Sequence, residues 1–168
     1  MFEKFGEFDS AEEINRAAAA QKAEGDEEAL VLLAEENGID REDAEDYMDG
    51  VITELTTPAL AASGKLRVEV QELKIEGILL DWVHEIEDAM AGDEKLQIAI
   101  RKKGKDLAGY IALLVEEGYK NRTEVDKSII QRCDKVKKVV GSHPLSIGCP
   151  TRVQRKKLML EYYTGVKA

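Results

Sequence analysis

The sequence predicts a mainly all-α fold, a single-domain bundle of about seven to eight short helices. Apolar residues recur at intervals of three and four in most segments, the spacing of one helix face. Helix-start residues precede these segments, and glycines follow several of them. With 168 residues, 43% of them apolar, and only three prolines, the chain can bury a core. We expect one helical domain over residues 1–168, with a short extended segment near residues 65–71 as an open alternative.

The first two helices are predicted from their caps. Ser10 precedes Glu13 by three residues, as in a capping box, and opens a helix that runs to about Lys22. Asp26 is the expected N-cap of the second helix, which Gly38 ends in a left-handed conformation.

The stretch DREDAEDYMDG, residues 40–50, has the acidic composition of a calcium loop. An EF-hand requires glycine at its sixth position, however, and counted from Asp40 the glycine comes too late, which excludes that metal site. Asp40 is instead an expected N-cap. The helix that follows has a predicted buried stripe of Ala44, Tyr47, Met48, Val51, Ile52 and Leu55. Its acids, Glu42, Asp43, Glu45, Asp46 and Asp49, are expected to face solvent.

The middle of the chain contains both helix-like and strand-like patterns. Thr57 and Pro58 open a short helix that Gly64 is expected to close. The segment KLRVEVQELKIEG then alternates like a strand before it steps like a helix, so we expect a helix from about Leu73 to Ala91. That helix carries Trp82, which is interpreted as a core anchor.

Four more helices are expected in the rear of the chain. Two are capped by Asp93 and Asp106, and the first of them stops at Gly104. The third carries an apolar stripe of Val125, Ile129, Cys133, Val136 and Val140, in which Cys133 is a small core residue. The loop SHPLSIGCP follows, and Pro150 opens the last helix.

Charge is divided unevenly along the chain. Residues 1–60 hold 4 basic and 18 acidic residues, and residues 61–94 hold 3 and 9. Residues 95–168 hold 17 basic and 7 acidic residues, so an acidic part, 1–94, precedes a basic part, 95–168. Solubility alone requires charge on exposed helix faces, and the two parts could also complement each other in the fold.

Several kinds of protein are excluded by what the sequence lacks. It has neither a signal-peptide pattern nor an apolar run of membrane-spanning length, so we expect a cytoplasmic protein without membrane contact. Cys133 and Cys149 lack metal-ligand or disulfide-framework spacing. No nucleophile-base motif and no phosphate-binding glycine loop is present. We therefore expect no enzyme, no metal and no cofactor, and nothing indicates an oligomeric state.

Two binding hypotheses remain. In one, the acidic helices of the first 60 residues compete for the nucleic-acid channel of a protein partner. In the other, basic residues of the rear part contact nucleic-acid phosphates. The residues proposed for that contact are Lys135, Lys137 and Lys138 together with Arg152, Arg155, Lys156 and Lys157.

A family resemblance bears on this choice. The stretches MFEKFGEFDSAEEIN, AEENGIDREDAEDYMDG, GKLRVEVQELKIEGILLDWVHEI and DEKLQIAIRKKGKDL together resemble the PcfK-like proteins of phages and conjugative elements of gut bacteria. That family includes anti-CRISPR inhibitors of type II CRISPR effector nucleases. The similarity spans about residues 1–130 and weakens after VDKSII.

The resemblance implies stoichiometric inhibition of such an effector, bound with its guide RNA, in the cytoplasm of a bacterial host. It transfers no catalytic residue. Since these effectors hold nucleic acid in a positively charged channel, Glu42, Asp43, Glu45, Asp46 and Asp49 are the hypothesised contact residues. The alternative is a nucleic-acid-binding accessory protein of a phage or conjugative element that uses the basic C-terminal helices.

Overall fold

The computed structural model describes residues 4–166 and confirms the mainly all-α fold. Ten helices and one small sheet lie within this range. The helices are α1 Ala11–Glu24, α2 Glu27–Glu36, α3 Arg41–Asp49, α4 Pro58–Leu73, α5 Ile78–Met90, α6 Glu94–Arg101, α7 Leu107–Lys120, α8 Lys127–Ile130, α9 Asp134–Val140 and α10 Arg152–Thr164. The strands β1 Thr123–Glu124 and β2 Ser146–Ile147 pair antiparallel, with Thr123 opposite Ile147. None of these helices combines the length and apolarity needed to span a bilayer.

The predicted N-caps are formed at most helix starts. The side chains of Asp26, Asp93 and Asp106 each accept a hydrogen bond from a backbone N–H in the first turn of their helix. Ser10 does the same for α1, but the other half of its predicted capping box is wrong. The Glu13 carboxylate accepts from the backbone N–H of Asp9, at 2.8 Å, instead.

Two groups of buried residues form the core. The first group joins α1, α2 and α3 and includes Ile14, Leu30 and Leu33, all fully buried. The second group joins α4, α5, α6, α7 and α10. It contains Trp82 and Tyr110, so the interpretation of Trp82 as a core residue is confirmed. The N-terminal helices thus pack as one layer beside a larger helical layer.

Helix α4 connects the two layers and corrects the prediction for the middle of the chain. Gly64 does not close a helix there, and residues 65–71 are helical, not extended. The helix continues to Leu73, and Lys74 ends it in the left-handed conformation with φ 50°. The apparent strand alternation arose because α4 is covered on more than one side, which adds buried positions to a simple helix face.

Gly64 lies where α4 meets the turn after α2. A Cβ built on Gly64 would lie 2.2 Å from the carbonyl oxygen of Asn37, and one built on Gly38 would lie 2.2 Å from the carbonyl oxygen of Gly64. Gly38 also has φ 68°, as predicted for the residue that ends α2. Only glycines allow this approach between the two backbones.

The single helix predicted over residues 125–140 is wrong. Residues 121–149 instead form β1, α8, α9 and β2. Ile130 is buried in α8, whereas Ile129 and Val139 expose 55% and 88% of their surface. Cys133 is only half-buried, because it lies between α8 and α9, and α9 has no buried residue. The last helix begins at Arg152 with Thr151 as its N-cap, not at Pro150.

Candidate functional site

Helices α2 and α3 pack against each other, and we call their acids, apart from Glu36, the acidic surface. Both helices turn apolar residues inward, with Leu30 and Leu33 of α2 and Ala44 and Tyr47 of α3 buried in the same core. Their charged residues are consequently left on the outside. The acidic surface consists of Glu27, Glu28, Glu35, Glu42, Asp43, Glu45, Asp46 and Asp49.

The predicted exposure of the α3 acids is confirmed in the main. Glu42, Asp46 and Asp49 are exposed and lie at helical spacing on one face, and Asp43 and Glu45 are half-buried. Whether these five residues contact a partner stays a prediction. The stripe beneath them differs from the prediction at Val51, which is 69% exposed. Because α3 ends at Asp49, residue 51 no longer follows the helical period.

The pKa of Arg41 responds to the negative charge of the acidic surface. Arg41 Nε donates to Glu45 Oε1 at 2.7 Å. This hydrogen bond, followed by the charge of Glu45, raises the pKa of the Arg41 guanidinium, and Glu35 and Glu27 of α2 raise it further. The carboxylates of both helices therefore act on the same cation. Residues 24–50 contain twelve acidic residues and one basic residue, Arg41, so most of this charge is uncompensated within the segment.

Cations from other helices bind at the two ends of α3. Asp40 occupies the N-cap position, but its side chain makes no capping bond. Its carboxylate accepts from Arg67 Nη1 of α4 at 2.7 Å instead. At the other end, the Lys22 ammonium of α1 donates to the carbonyl oxygen of Tyr47 and lies over its ring. These contacts hold both ends of α3 and leave Glu42 and Asp46 exposed between them.

A buried polar network anchors the layer that carries the acidic surface. Asn37, at the end of α2, is fully buried and accepts from Arg101 Nη2 of α6 at 2.6 Å. Burial lowers the pKa of Arg101, and the charges of Glu7, Glu69, Asp9 and Glu13 oppose this shift. No local sequence pattern indicates this network, since its members lie far apart in the chain.

Lys65 and Glu69 are buried in α4. Lys65 Nζ contacts Glu7 Oε1 at 3.0 Å and Glu69 Oε1 at 3.9 Å, and Glu69 Oε2 accepts from the backbone N–H of Leu107 at 2.8 Å. Burial raises the pKa of Glu69 to about 7, while Lys65 and the Leu107 N–H oppose the shift. In the sequence, this buried pair is indicated only by the spacing of four between Lys65 and Glu69 inside an apolar segment.

Stability is expected to fall as pH rises from about 4.5 to about 7 through Glu69. In this window the folded state binds a proton that the unfolded state has released, so folding is favoured at the acidic end. At about 1.4 kcal/mol per pKa unit, a pKa raised from 4.5 to about 7 corresponds to about 3.5 kcal/mol in all, of which about 2.5 kcal/mol is lost between pH 5 and pH 8. We expect urea unfolding of Glu69→Gln at about pH 5 and about pH 8 to lack this component. Glu87→Gln, an exposed control, should keep it, and equal pH dependence of both variants would contradict the assignment.

The four basic residues of the nucleic-acid hypothesis, Arg152, Arg155, Lys156 and Lys157, have different surroundings in the structure. Arg155 binds Glu85 of α5 in two places, Nε to Oε2 at 2.8 Å and Nη2 to Oε1 at 2.6 Å, and lies 5.9 Å from the Trp82 ring centroid. Its hydrogen bond is the main cause that lowers the pKa of Glu85. Lys157 lies 4.0 Å from Glu161. Arg152 and Lys156 are exposed and share a cavity of about 160 Å³ with Glu85. The four residues therefore do not form one uncompensated basic patch.

Arg155→Ala is expected to lower the free energy of unfolding by about 2 kcal/mol, because Glu85 would lose a largely buried bidentate partner. Lys156→Ala, at the exposed neighbouring position, should change it by less than about 0.5 kcal/mol. Urea denaturation measures both values. If the two variants were equally stable, Arg155 would not have the structural role that its contacts indicate.

The described part of the chain defines a helical bundle with an anionic face. Residues 4–166 contain no group of three or more His, Cys, Asp or Glu side chains arranged to hold a metal ion. Comparisons with protein-family models, with curated proteins and with solved structures find no match. The resemblance to PcfK-like and anti-CRISPR proteins therefore stays a prediction.

Proposed function

We propose that the protein is a stoichiometric inhibitor that binds a type II CRISPR effector nuclease with its guide RNA. The acidic surface carries this proposal, because its carboxylates lie on two adjacent helices, three of them acting on Arg41, and would attract a strongly basic partner. The resemblance to anti-CRISPR proteins supplies the identity of that partner. In this role the protein acts in the cytoplasm of a bacterial host.

The effector offers two surfaces that complement the acidic surface. It holds the guide-target heteroduplex in a positively charged channel, and it reads a short duplex motif with arginine side chains. Carboxylates at fixed positions on helices can form ion pairs with these basic side chains in place of DNA phosphates. Because α3 is held at both ends by Arg67 and Lys22, little ordering of the helix is required on binding.

Charge complementarity accelerates association more than it adds affinity, so an apolar contact is also required. Val51 provides one, since it is 69% exposed and follows Asp49 by two residues. An apolar side chain beside a carboxylate face is a suitable centre for a protein interface. We therefore include Val51 in the proposed contact.

A function by binding, without a covalent step, also agrees with the position of Glu69, whose carboxyl pKa is clearly raised. Glu69 is 3% exposed and is engaged with Lys65 and the Leu107 N–H, which assigns it to the core. Its shift is explained by burial in a structural network. The proposed inhibitor therefore acts by occupying a surface of the nuclease.

The proposal is tested by DNA cleavage with a purified type II effector loaded with guide RNA. Cleavage is expected to fall as the protein is added and to stop near one equivalent per effector. A restriction endonuclease acting on the same DNA is the control and should be unaffected. Full cleavage in the presence of a large excess of the protein would reject the proposal for that effector.

A second candidate is a nucleic-acid-binding accessory protein. The observation in its favour is that Lys135 and Lys138 of α9 are exposed and form no ion pair with another described residue, and that Arg152 and Lys156 are also exposed. A gel shift on plain duplex DNA tests it. The native protein should shift the DNA, and Arg152→Glu with Lys156→Glu should abolish the shift. Absence of any shift by the native protein would eliminate this candidate.

A further inference from the structure

Helices α6 and α10 leave a groove between them that neither binding hypothesis uses. Its volume is about 520 Å³, within the range of small-molecule sites. The walls are mainly apolar and include Leu96, Ile98, Ala99, Leu160, Tyr163 and Val166. Ile98 and Val166 are 40% and 65% exposed, so a ligand in the groove would cover apolar surface that now faces water.

Two lysines lie at the border of this groove. Lys95 is in the first turn of α6 and Lys102 follows its last residue, so they are separated by about 10 Å along the helix. Within residues 4–166 no carboxylate lies within ion-pair distance of either lysine. The acid that lines the groove, Asp93, accepts the capping hydrogen bond from Leu96 N–H at 3.1 Å.

We propose that this groove binds an amphiphile with an apolar chain and an anionic head group, of the fatty-carboxylate class. The chain would lie against the side chains of Leu96, Ala99 and Leu160, and the head group would pair with Lys95 or Lys102. Because the whole protein carries a net charge of −10, an anion is attracted only where lysines dominate locally. The proposal is independent of the acidic surface and of nuclease inhibition.

Calorimetric titration with dodecanoate, below its micelle-forming concentration, tests the proposal on the full chain. We expect one saturable site per chain and affinity about tenfold higher than for dodecyl glucoside, which has the same chain and no charge. Lys95→Glu with Lys102→Glu should remove this preference. Lys120→Glu with Lys138→Glu makes the same change in net charge at exposed positions on α7 and α9 and should retain it.

A third variant tests the position of the chain. Thr164→Trp places a large side chain in the groove from the exposed last turn of α10 and should weaken binding of both dodecyl compounds. The proposal is overturned if dodecanoate does not saturate, or if both lysine pairs give the same affinity. It is also overturned if light scattering shows a dimer of the native protein that Thr164→Trp dissociates, since a second copy would then occupy the groove.

Discussion

Association with the effector nuclease is expected to slow by about ten- to a hundredfold when the acidic face of α3 is neutralised. The remaining association should depend little on salt, because the charges that salt screens have been removed. Stopped-flow mixing at low and physiological ionic strength measures both effects. The variant carries Glu42→Gln, Asp43→Asn, Glu45→Gln, Asp46→Asn and Asp49→Asn.

A matched control removes five exposed carboxylates from the other layer of the molecule. It carries Glu76→Gln, Asp81→Asn, Glu87→Gln, Asp88→Asn and Glu94→Gln, and it changes the net charge equally. Its association rate should stay within about threefold of the native rate if position matters more than total charge. Inhibition by the α3 variant equal to that by the native protein would reject the acidic surface as the contact, even if the protein is an inhibitor.

The second large effect is expected at Gly64. In an ordinary helix interior, replacing glycine by alanine stabilises by up to about 1 kcal/mol. Here the new Cβ would lie 2.2 Å from the Asn37 carbonyl oxygen, so α4 and the turn after α2 would have to move apart. We expect Gly64→Ala to lower the free energy of unfolding by about 3 kcal/mol or more. Urea denaturation measures this value.

Ser63→Ala is the control for Gly64→Ala, because it adds the same residue type one position earlier in α4. It should change stability by no more than about 0.5 kcal/mol. A Gly64→Ala variant as stable as the native protein would mean that the two backbones are not held together as the structure shows. Helix propensity alone would make Gly64→Ala stabilising, whereas the backbone contact makes it destabilising. The sign of the change in the free energy of unfolding therefore distinguishes the two causes.

Much of the candidate site could be predicted from local sequence. The exposure of Glu42, Asp46 and Asp49 follows from the apolar residues between them, which require the opposite face of the same helix. The ion pair between Arg155 and Glu85 could not be predicted in this way. Glu85 is 70 residues distant from Arg155 in the chain, and the charge pattern of α10 alone describes Arg155 as one more surface cation.

Some helix caps could likewise be predicted from local sequence, and one could not. Asp26, Asp93 and Asp106 are predictable as caps, because a capping bond joins residues three apart. Asp40 has the same residue type in the same position, but its carboxylate binds Arg67 of a distant helix. Competition between a local and a distant partner is decided by packing, which the local pattern does not contain.

By itself, the sequence determined that the chain forms capped amphipathic helices and that its front part is acidic, since helical period, capping and charge act over a few residues. Only the tertiary structure decided that α4 continues through Gly64, that residues 121–149 form two short helices beside a small sheet, and that Lys65 and Glu69 are buried. These outcomes depend on which surfaces meet after the helices have formed. Burial and ion pairing between distant residues then override the preferences of each segment.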